Sequence, residues 1–468
     1  MSRWKQWIVD RFGLEPIRQN TMDRRVPRAP WYYGDGASLL LLLGVLVVTG
    51  MMMTLTYTPS PDGAYDSVRA ITDVMVMGGF IRALHYWSAG MMVVMVIFHL
   101  IRTILIGGYK FPREGTFLIG VVMLFAVLFM SITGYVLRWD ARALFALNVI
   151  LAHFQHVPVI GDELVLLVQG GPELGAAALT RLYALHVIIV PMLLLGLTGY
   201  HVYLVILKGT TSKEERRRPV YSVEEQKRVY EAESESSETG ETFFPFTAAK
   251  SARLVLVVFG IVLALAAFSG PQTLYSEANL IDAPAPAEEW WFWWYSSLIA
   301  LTPAWLAPYV IVMLPIAAFL ALTALPLLDR SPYRGIRRRP AVVVSLFLFV
   351  LVVLGLTNLR YFSPWTGWPR AEPPAVPEGV EITAGAEIGR HLFADFGCNT
   401  CHAVAGDGAR VGPDFADLDD AADREDMRAY ILNPPPGVAM PGYEGRLTDE
   451  QMDRLLDFVM EAQTFPRR

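Results

Sequence analysis

The sequence predicts an all-α fold: seven membrane-spanning helices, four in a first group and three in a second, followed by a small soluble helical domain. Three observations predict it. The 468-residue chain is 53% hydrophobic and 18% charged, with a mean hydropathy of +0.37, too oily for an ordinary soluble protein. Seven apolar stretches are long enough to cross ~30 Å of hydrocarbon, which takes roughly 20 helical residues. The loops between them alternate between basic and nearly free of Lys and Arg.

The elements follow in order. Residues 1–29 are a basic N-terminal segment without an apolar core and cleavage site, so the first spanning helix is expected to direct insertion. The spans are expected at about 37–57, 80–107, 115–137, 183–207, 250–270, 303–328 and 340–360. Between the third and fourth, Leu137 to Leu182 is too interrupted to span. Segments 1–28, 108–114, 208–218 and 329–339 are basic, whereas 58–79 and 271–290 almost lack Lys and Arg. The positive-inside rule therefore places the N-terminus in the cytoplasm, and seven crossings place the C-terminus outside.

This divides the chain into a first bundle (30–210), a cytoplasmic linker (211–248), a three-helix bundle (249–362), a Pro-rich linker (363–384) and a soluble domain (385–468). Within the first linker, Ser222 to Glu241 is rich in Glu and Ser and reads as a flexible connection. The second contains Pro364, Pro369, Pro373, Pro374 and Pro377, the composition of a semi-rigid spacer. The last helix starts with a capping box, Thr448 and Gln451, ahead of Leu455, Leu456, Phe458 and Val459. The net charge of -6 is unevenly distributed and decides little; no nucleic-acid partner is expected, only membrane lipid.

Four histidines lie inside spans: His85 and His99 on the second, His186 and His201 on the fourth. Separations of 14 and 15 residues are close to four helical turns, so each pair shares a face. One crossing intervenes, so the two helices run parallel, His85 level with His186 and His99 with His201. At 1.5 Å per residue the levels are ~21 Å apart, the arrangement that two stacked bis-imidazole haems need. A single intramembrane histidine is more often a helix–helix hydrogen bond or proton relay; four at two matched depths are not. Gly36 and Gly50 on the first span, and Gly120 and Gly134 on the third, are also 14 residues apart. Such glycines serve close helix packing, but in register with the histidines they read as room for a flat macrocycle. Arg82 and Arg102, a turn from the histidines, suit haem propionates or interfacial anchoring equally.

Over residues 20–362 the chain resembles the cytochrome b family of cytochrome bc and b6f complexes, in its b6-type branch. The carriers are IRALHYWSAGMMVVMVIFHLIR, GGYKFPREGTFLIG, SITGYVLRWD, PVIG and LTRLYALHVIIVPMLLLGLTGYHVYL. Residues 249–362 look like subunit IV, with LPLLDRSPYRGIRRRP similar to one of its cytoplasmic turns. The resemblance implies a four-helix di-haem core plus three further helices, in a bacterial cytoplasmic membrane. It implies a low-potential haem b on the outer side at His85 and His186, and a high-potential haem b inside at His99 and His201. Quinol is oxidised, by the same implication, beside a PEWY motif. The corresponding stretch here is Glu288-Glu289-Trp290-Trp291, with Glu289 on the motif glutamate, Glu288 in place of proline and Trp291 in place of tyrosine. A carboxylate at the membrane edge can take a quinol proton and pass it outward. Trp139-Asp140 fits the family's outer loop, with Arg138 in place of a proline, and makes Asp140 a second catalytic candidate. His153 and His156 in that loop are proton carriers or loop histidines without a role. The b6 cysteine that holds a covalent inner haem aligns with Gly34, so that third haem is not expected. The implied partners are a separate Rieske iron-sulfur protein, quinol and quinone, and a downstream cytochrome or terminal oxidase, in a homodimeric complex with transmembrane proton translocation.

The only cysteines, Cys398 and Cys401, sit in Cys398-Asn399-Thr400-Cys401-His402, the attachment signature of a covalent haem c with His402 as proximal ligand. Zinc would need further ligands, and only His391 is near; a redox dithiol does not explain the adjacent histidine. Gly412-Pro413 also looks like class I cytochrome c. By that resemblance Met440 is the sixth ligand, and Met427, Met452 and Met460 are packing residues. Two other classes compete. A membrane anchor passing electrons between a dehydrogenase and quinone would not need Glu289 or the subunit IV-like helices. A haem sensor would need neither quinol turnover nor Met440.

Overall fold

The computed structural model describes residues 3–466 other than 13, 14, 16, 17, 156, 158, 159, 172, 173, 276–288, 304, 305, 363–372, 409–411, 419–422, 436–439 and 441. Glu288, His156, the first half of the Pro-rich linker and the side chain of His153 lie outside the described residues.

Among the described residues, seven helices are long and apolar enough to cross a membrane: Trp31–Thr54, Gly78–Leu105, Glu114–Val136, Ala176–Lys208, Phe243–Phe268, Tyr309–Leu328 and Pro340–Arg360. All seven expected spans are present, and the protein is an integral membrane protein. Their outer faces are apolar because lipid is the solvent there; a helix satisfies its own backbone, which is why only helices fill these stretches. The segment between the third and fourth spans forms short helices, Ala141–Gln155 and Gly161–Gln169, instead of crossing.

The spans pack as two helix pairs. The first span lies along the second, and the fifth packs on both through Leu42, Met92, Met95, Val258 and Val262. The third span lies along the fourth, and the sixth packs on the third, with Phe125 and Phe319 edge to face at 5.2 Å. The second and fourth spans make only sparse direct contact, so two helix pairs face each other across the histidines. Beyond the bundle, Lys110 Nζ lies 2.9 Å from Asp329 Oδ2, and Tyr109 donates to the same carboxylate. Those bonds clamp the loop after the second span to the loop after the sixth.

The run Ser222 to Glu241 is not a flexible connection. It forms the helix Val223–Glu235, with Ser222 Oγ accepting from Glu225 N at 3.1 Å, and then the strand Gly240–Thr242. That strand pairs antiparallel with Arg25–Pro27, Val26 opposite Glu241. The physical reason is periodicity. Gln226, Val229, Tyr230 and Glu233 fall on one helical face and are buried, while a count of Glu and Ser measures only overall polarity. Glu233 closes the arrangement by accepting from the backbone N–H groups of Lys213 and Glu214 at 3.2 and 3.1 Å.

The C-terminal domain consists of the helices Ala384–Asp395, Arg424–Leu432 and Asp449–Ala462. The capping box is formed: Gln451 N donates to Thr448 Oγ1 at 3.2 Å, and Thr448 N donates to Gln451 Oε1 at 3.0 Å. Phe393 stacks edge-on against Phe458 and Phe415 in its core. Phe415 lies 5.0 Å from the ring of His402.

Candidate functional site

Helical spacing puts each pair of intramembrane histidines on one face of its helix, and the packing of the helices turns those faces toward each other. The ring centroids of His85 and His186 are 6.4 Å apart, and those of His99 and His201 are also 6.4 Å apart. The number discriminates between readings. Two direct hydrogen-bonded imidazoles would sit closer, whereas an iron taking a nitrogen from each side at about 2 Å requires about this separation.

The second ring nitrogen is engaged on both His85 and His186. Thr49 Oγ1 lies 2.9 Å from His85 Nδ1, and Thr133 Oγ1 lies 3.0 Å from His186 Nδ1. Each hydroxyl donates its own proton to a backbone carbonyl, Val45 O at 2.6 Å and Met130 O at 3.1 Å. It therefore accepts from Nδ1–H, which leaves Nε2 as the free donor for a metal. The other level differs: His99 Nδ1 faces a carboxylate, Asp35 Oδ2, at 3.1 Å.

The glycines complete the cradle. A Cβ built on Gly50 would meet His85 Cε1 at 3.3 Å, on Gly120 His201 Cε1 at 3.5 Å, on Gly134 His186 Cε1 at 2.5 Å, and on Gly36 His99 Cε1 at 4.0 Å. Each of the four thus opens onto its own imidazole. Donor set, separation and cradle all fit two bis-imidazole haems. Gly34, the position of the missing cysteine, faces the backbone of Ser251 instead, and a Cβ there would sit 2.7 Å from Ser251 Cα.

The arginines are held by protein groups. Arg82 is buried and donates to Thr72 Oγ1 at 2.8 Å and to the Gln272 carbonyl. Arg102 Nε donates to Asp35 Oδ2 at 2.6 Å.

Glu289 is buried beside the 3-10 turn Trp290–Phe292. Its Oε2 accepts from Tyr86 OH at 3.2 Å and its Oε1 from Gln272 Nε2 at 3.2 Å. Gln272 Oε1 accepts from Arg138, which also reaches the fully buried Asp140. Asp140 caps the helix Ala141–Gln155 through Ala143 N at 2.9 Å and accepts from Tyr275 N at 3.2 Å. Glu289, Gln272, Arg138 and Asp140 thus form one connected chain. Burial pushes the Glu289 carboxyl above the usual carboxylate range, and the Arg138 guanidinium pulls the other way. Trp291 packs on Gly90, where a Cβ would meet its ring at 3.3 Å.

In the C-terminal domain, Cys398–Thr400 forms a 3-10 turn and His402 N donates to Cys398 O at 2.9 Å. Neither thiol is in a disulfide, and burial pushes the Cys398 thiol up to about 12. His402 Nδ1 lies 2.9 Å from Pro413 O, a carbonyl that can only accept, so Nδ1–H donates and Nε2 is left as ligand; burial shifts this imidazole toward its neutral form. A Cβ on Gly412 would meet the His402 ring at 2.5 Å, which explains the glycine before Pro413. Met440 is partly buried against the cluster formed by Ile431, Tyr443, Met452 and Leu456. Met452 is 1% exposed and Met427 packs between the two core clusters, both as packing residues.

Sequence reading did not find Thr49, Thr133, Asp35, Tyr86 or Gln272. The recurring Thr-Gly at 49–50 and 133–134 was a signal, weakened by further copies at 198–199, 239–240 and 366–367. An acid at the mouth of an apolar span signalled Asp35. Nothing local marks Tyr86 or Gln272, which reach Glu289 from other elements.

Comparison with known proteins agrees with this geometry. Residues 22–210 match the family model described as Cytochrome b/b6/petB, residues 277–366 Cytochrome b(C-terminal)/b6/petD, and residues 384–459 Cytochrome C oxidase, cbb3-type, subunit III. The chain is 35% identical over 210 residues to the cytochrome b6 of Synechococcus elongatus, covering 45% of this chain and 98% of that protein. It is 32% identical over 218 residues to the menaquinol:cytochrome c reductase cytochrome b subunit of Bacillus subtilis, covering 45% and 97%. A solved structure titled Hyperthermophilic respiratory Complex III shares the fold, with a TM-score of 0.67 at 24% identity over 77% of this chain and 92% of that one. The chain belongs to the cytochrome b/b6 family, continued by a cytochrome b C-terminal region and ending in a cytochrome c domain.

Proposed function

We propose that this chain is the cytochrome b/c subunit of a quinol-oxidising cytochrome bc complex in a bacterial cytoplasmic membrane, with the N-terminus inside and the cytochrome c domain outside. The observation that carries the proposal is the pair of matched imidazole couples at equal separation. The relative in Bacillus subtilis, named a menaquinol:cytochrome c reductase subunit, supports the same reading.

His85 with His186 and His99 with His201 would hold two haems b; Cys398 and Cys401 would attach haem c, and His402 and Met440 would hold its iron. When bound, these groups supply one-electron transfer at graded potentials, thioether ligation lying higher than bis-imidazole. Glu289 accepts a proton from quinol at the outer site. Tyr86 and Gln272 orient its carboxylate, and Arg138 and Asp140 line the connected polar route away from it. The two electrons of quinol part there. One leaves toward a separate Rieske iron-sulfur partner and the C-terminal domain; the other crosses to an inner quinone site, so protons are released outside and taken up inside. Joining the cytochrome c domain to the chain raises its effective concentration near that partner. A homodimeric complex handing electrons to a downstream cytochrome or terminal oxidase completes the reading.

The test is haem stoichiometry with turnover. The purified chain carries haems b and c at two to one, and the assembled complex reduces haem c with quinol. Equal amounts of b and c overturn the four-histidine assignment; reduction that never depends on quinol overturns the function.

A further inference from the structure

We propose that Asp35 is a positioning residue that polarises His99 and thereby lowers the reduction potential of the iron held at the His99/His201 level; the inference rests on the bis-imidazole reading above.

The two levels differ in what meets the Nδ1 nitrogens: among the described residues no hydroxyl meets His201 Nδ1, and His99 Nδ1 meets a carboxylate. At the His85/His186 level the Nδ1–H groups meet neutral hydroxyls, Thr49 at 2.9 Å and Thr133 at 3.0 Å. At the other level His99 Nδ1 lies 3.1 Å from a carboxylate oxygen of Asp35, which is fully buried at the start of the first span. The carboxylate is held rigidly. Its Oδ1 accepts from Gly36 N at 2.8 Å, and its Oδ2 also accepts from Arg102 Nε at 2.6 Å. Arg102 is itself fixed by Asp35 and by the face of Tyr33, its guanidinium 4.5 Å from the ring centre; its Nη2, 3.3 Å from His99 Nδ1, is a second donor there and makes no bond with a protonated Nδ1.

A carboxylate acceptor draws the Nδ1 proton away from the ring more strongly than a hydroxyl does. The imidazole becomes a stronger electron donor through Nε2, which favours the ferric over the ferrous iron. The negative charge, in a site shielded from water, acts in the same direction. Arg102 opposes both effects and offsets part of them. An interfacial salt bridge alone would not require the carboxylate oxygen to face Nδ1; here one oxygen serves both partners.

The experiment is potentiometry of the assembled complex followed by absorbance and by low-spin ferric EPR, with the His99/His201 haem identified by its loss in His201→Leu. In Asp35→Asn that haem alone becomes easier to reduce, its reduced-to-oxidised ratio at fixed ambient potential rising about tenfold, about 59 mV for a one-electron couple, and its EPR signal moves. The other haem b and haem c stay in place. No change, or an equal shift of both haems b, overturns the inference. Should Asp35→Asn lose the haem, Arg102→Gln decides. It leaves Asp35 with His99 as its side-chain partner, so the potential must fall and the EPR signal must shift with it. A fall without a change in the signal is a bare charge effect and overturns the inference, as does no fall. Absence of any His201-dependent haem b in the unmodified complex overturns instead the haem assignment itself.

Discussion

Gly134 faces His186 across the third and fourth spans so closely that a methyl group on the glycine would meet imidazole Cε1 at 2.5 Å. Gly36, at the other end of the cradle, leaves 4.0 Å to His99 Cε1, an ordinary van der Waals contact. The two glycines are equivalent in sequence pattern and unequal in tolerance. Gly134→Ala displaces His186, an overpacking cost of about 1–3 kcal/mol, and the haem b absorbance per chain falls by about half while haem c is retained. Gly36→Ala keeps His99 in place. Difference spectra of the two variants check both, and equal behaviour of the pair contradicts the geometry.

Glu289 gives a pH-dependent prediction. Its carboxyl is raised by burial, so it is protonated to higher pH than an ordinary carboxylate and loses its power to accept a proton there. Quinol-dependent reduction therefore falls toward acid with a limb above the usual carboxylate range. Glu289→Gln removes the limb and slows the reaction, by about 10²–10⁴-fold if the carboxylate is the base. Arg138→Gln removes the main opposing charge, raises the carboxyl further and moves the limb to higher pH. A limb that moves to lower pH, or stays, shows that Arg138 does not act on Glu289.

Met440 is the one methionine of the C-terminal domain assigned to iron. Met440→Ala lowers the potential of haem c and removes the optical signature of thioether ligation, because a thioether favours the ferrous state. Met452→Leu, a volume-conserving change in the core, costs less than about 1.5 kcal/mol and leaves that signature intact. If Met452→Leu abolishes it and Met440→Ala does not, the ligand is the helical methionine.

Gly34→Cys tests why this chain lacks the b6 cysteine. The Cβ would lie 2.7 Å from Ser251 Cα and 2.8 Å from Ser251 O, both backbone atoms of the fifth span. Backbone cannot give way as a flexible side chain can, so the fifth span must shift. The expected outcome is a lower thermal stability of the membrane domain and no haem resistant to acidic-acetone extraction beyond haem c. A stable variant with a second covalent haem shows that the site remains built for one.

The seven spans, the two levels of intramembrane histidines and the CxxCH turn were legible in the sequence because each obeys a local rule. A bilayer demands roughly 20 apolar residues in a helix, and 1.5 Å per residue converts the 14- and 15-residue histidine spacings directly into depth. The capping box at Thr448 is equally local. The helix at Val223–Glu235 obeyed such a rule too, and composition concealed it.

What only the tertiary structure decided lies between elements distant in the chain. Tyr86 reaches Glu289 across 203 residues, Gln272 joins Glu289 to Arg138 across 134, and Arg102 meets Asp35 across 67. Sequence spacing fixes which face of its own helix a side chain occupies; it carries no term for the rotation and depth of the partner helix. Those are set by packing of first, second and fifth spans around Leu42, Met92 and Val258. That packing is why the sequence could name both histidine levels, and only the fold could show that His85 and His186 meet hydroxyls while His99 meets a carboxylate.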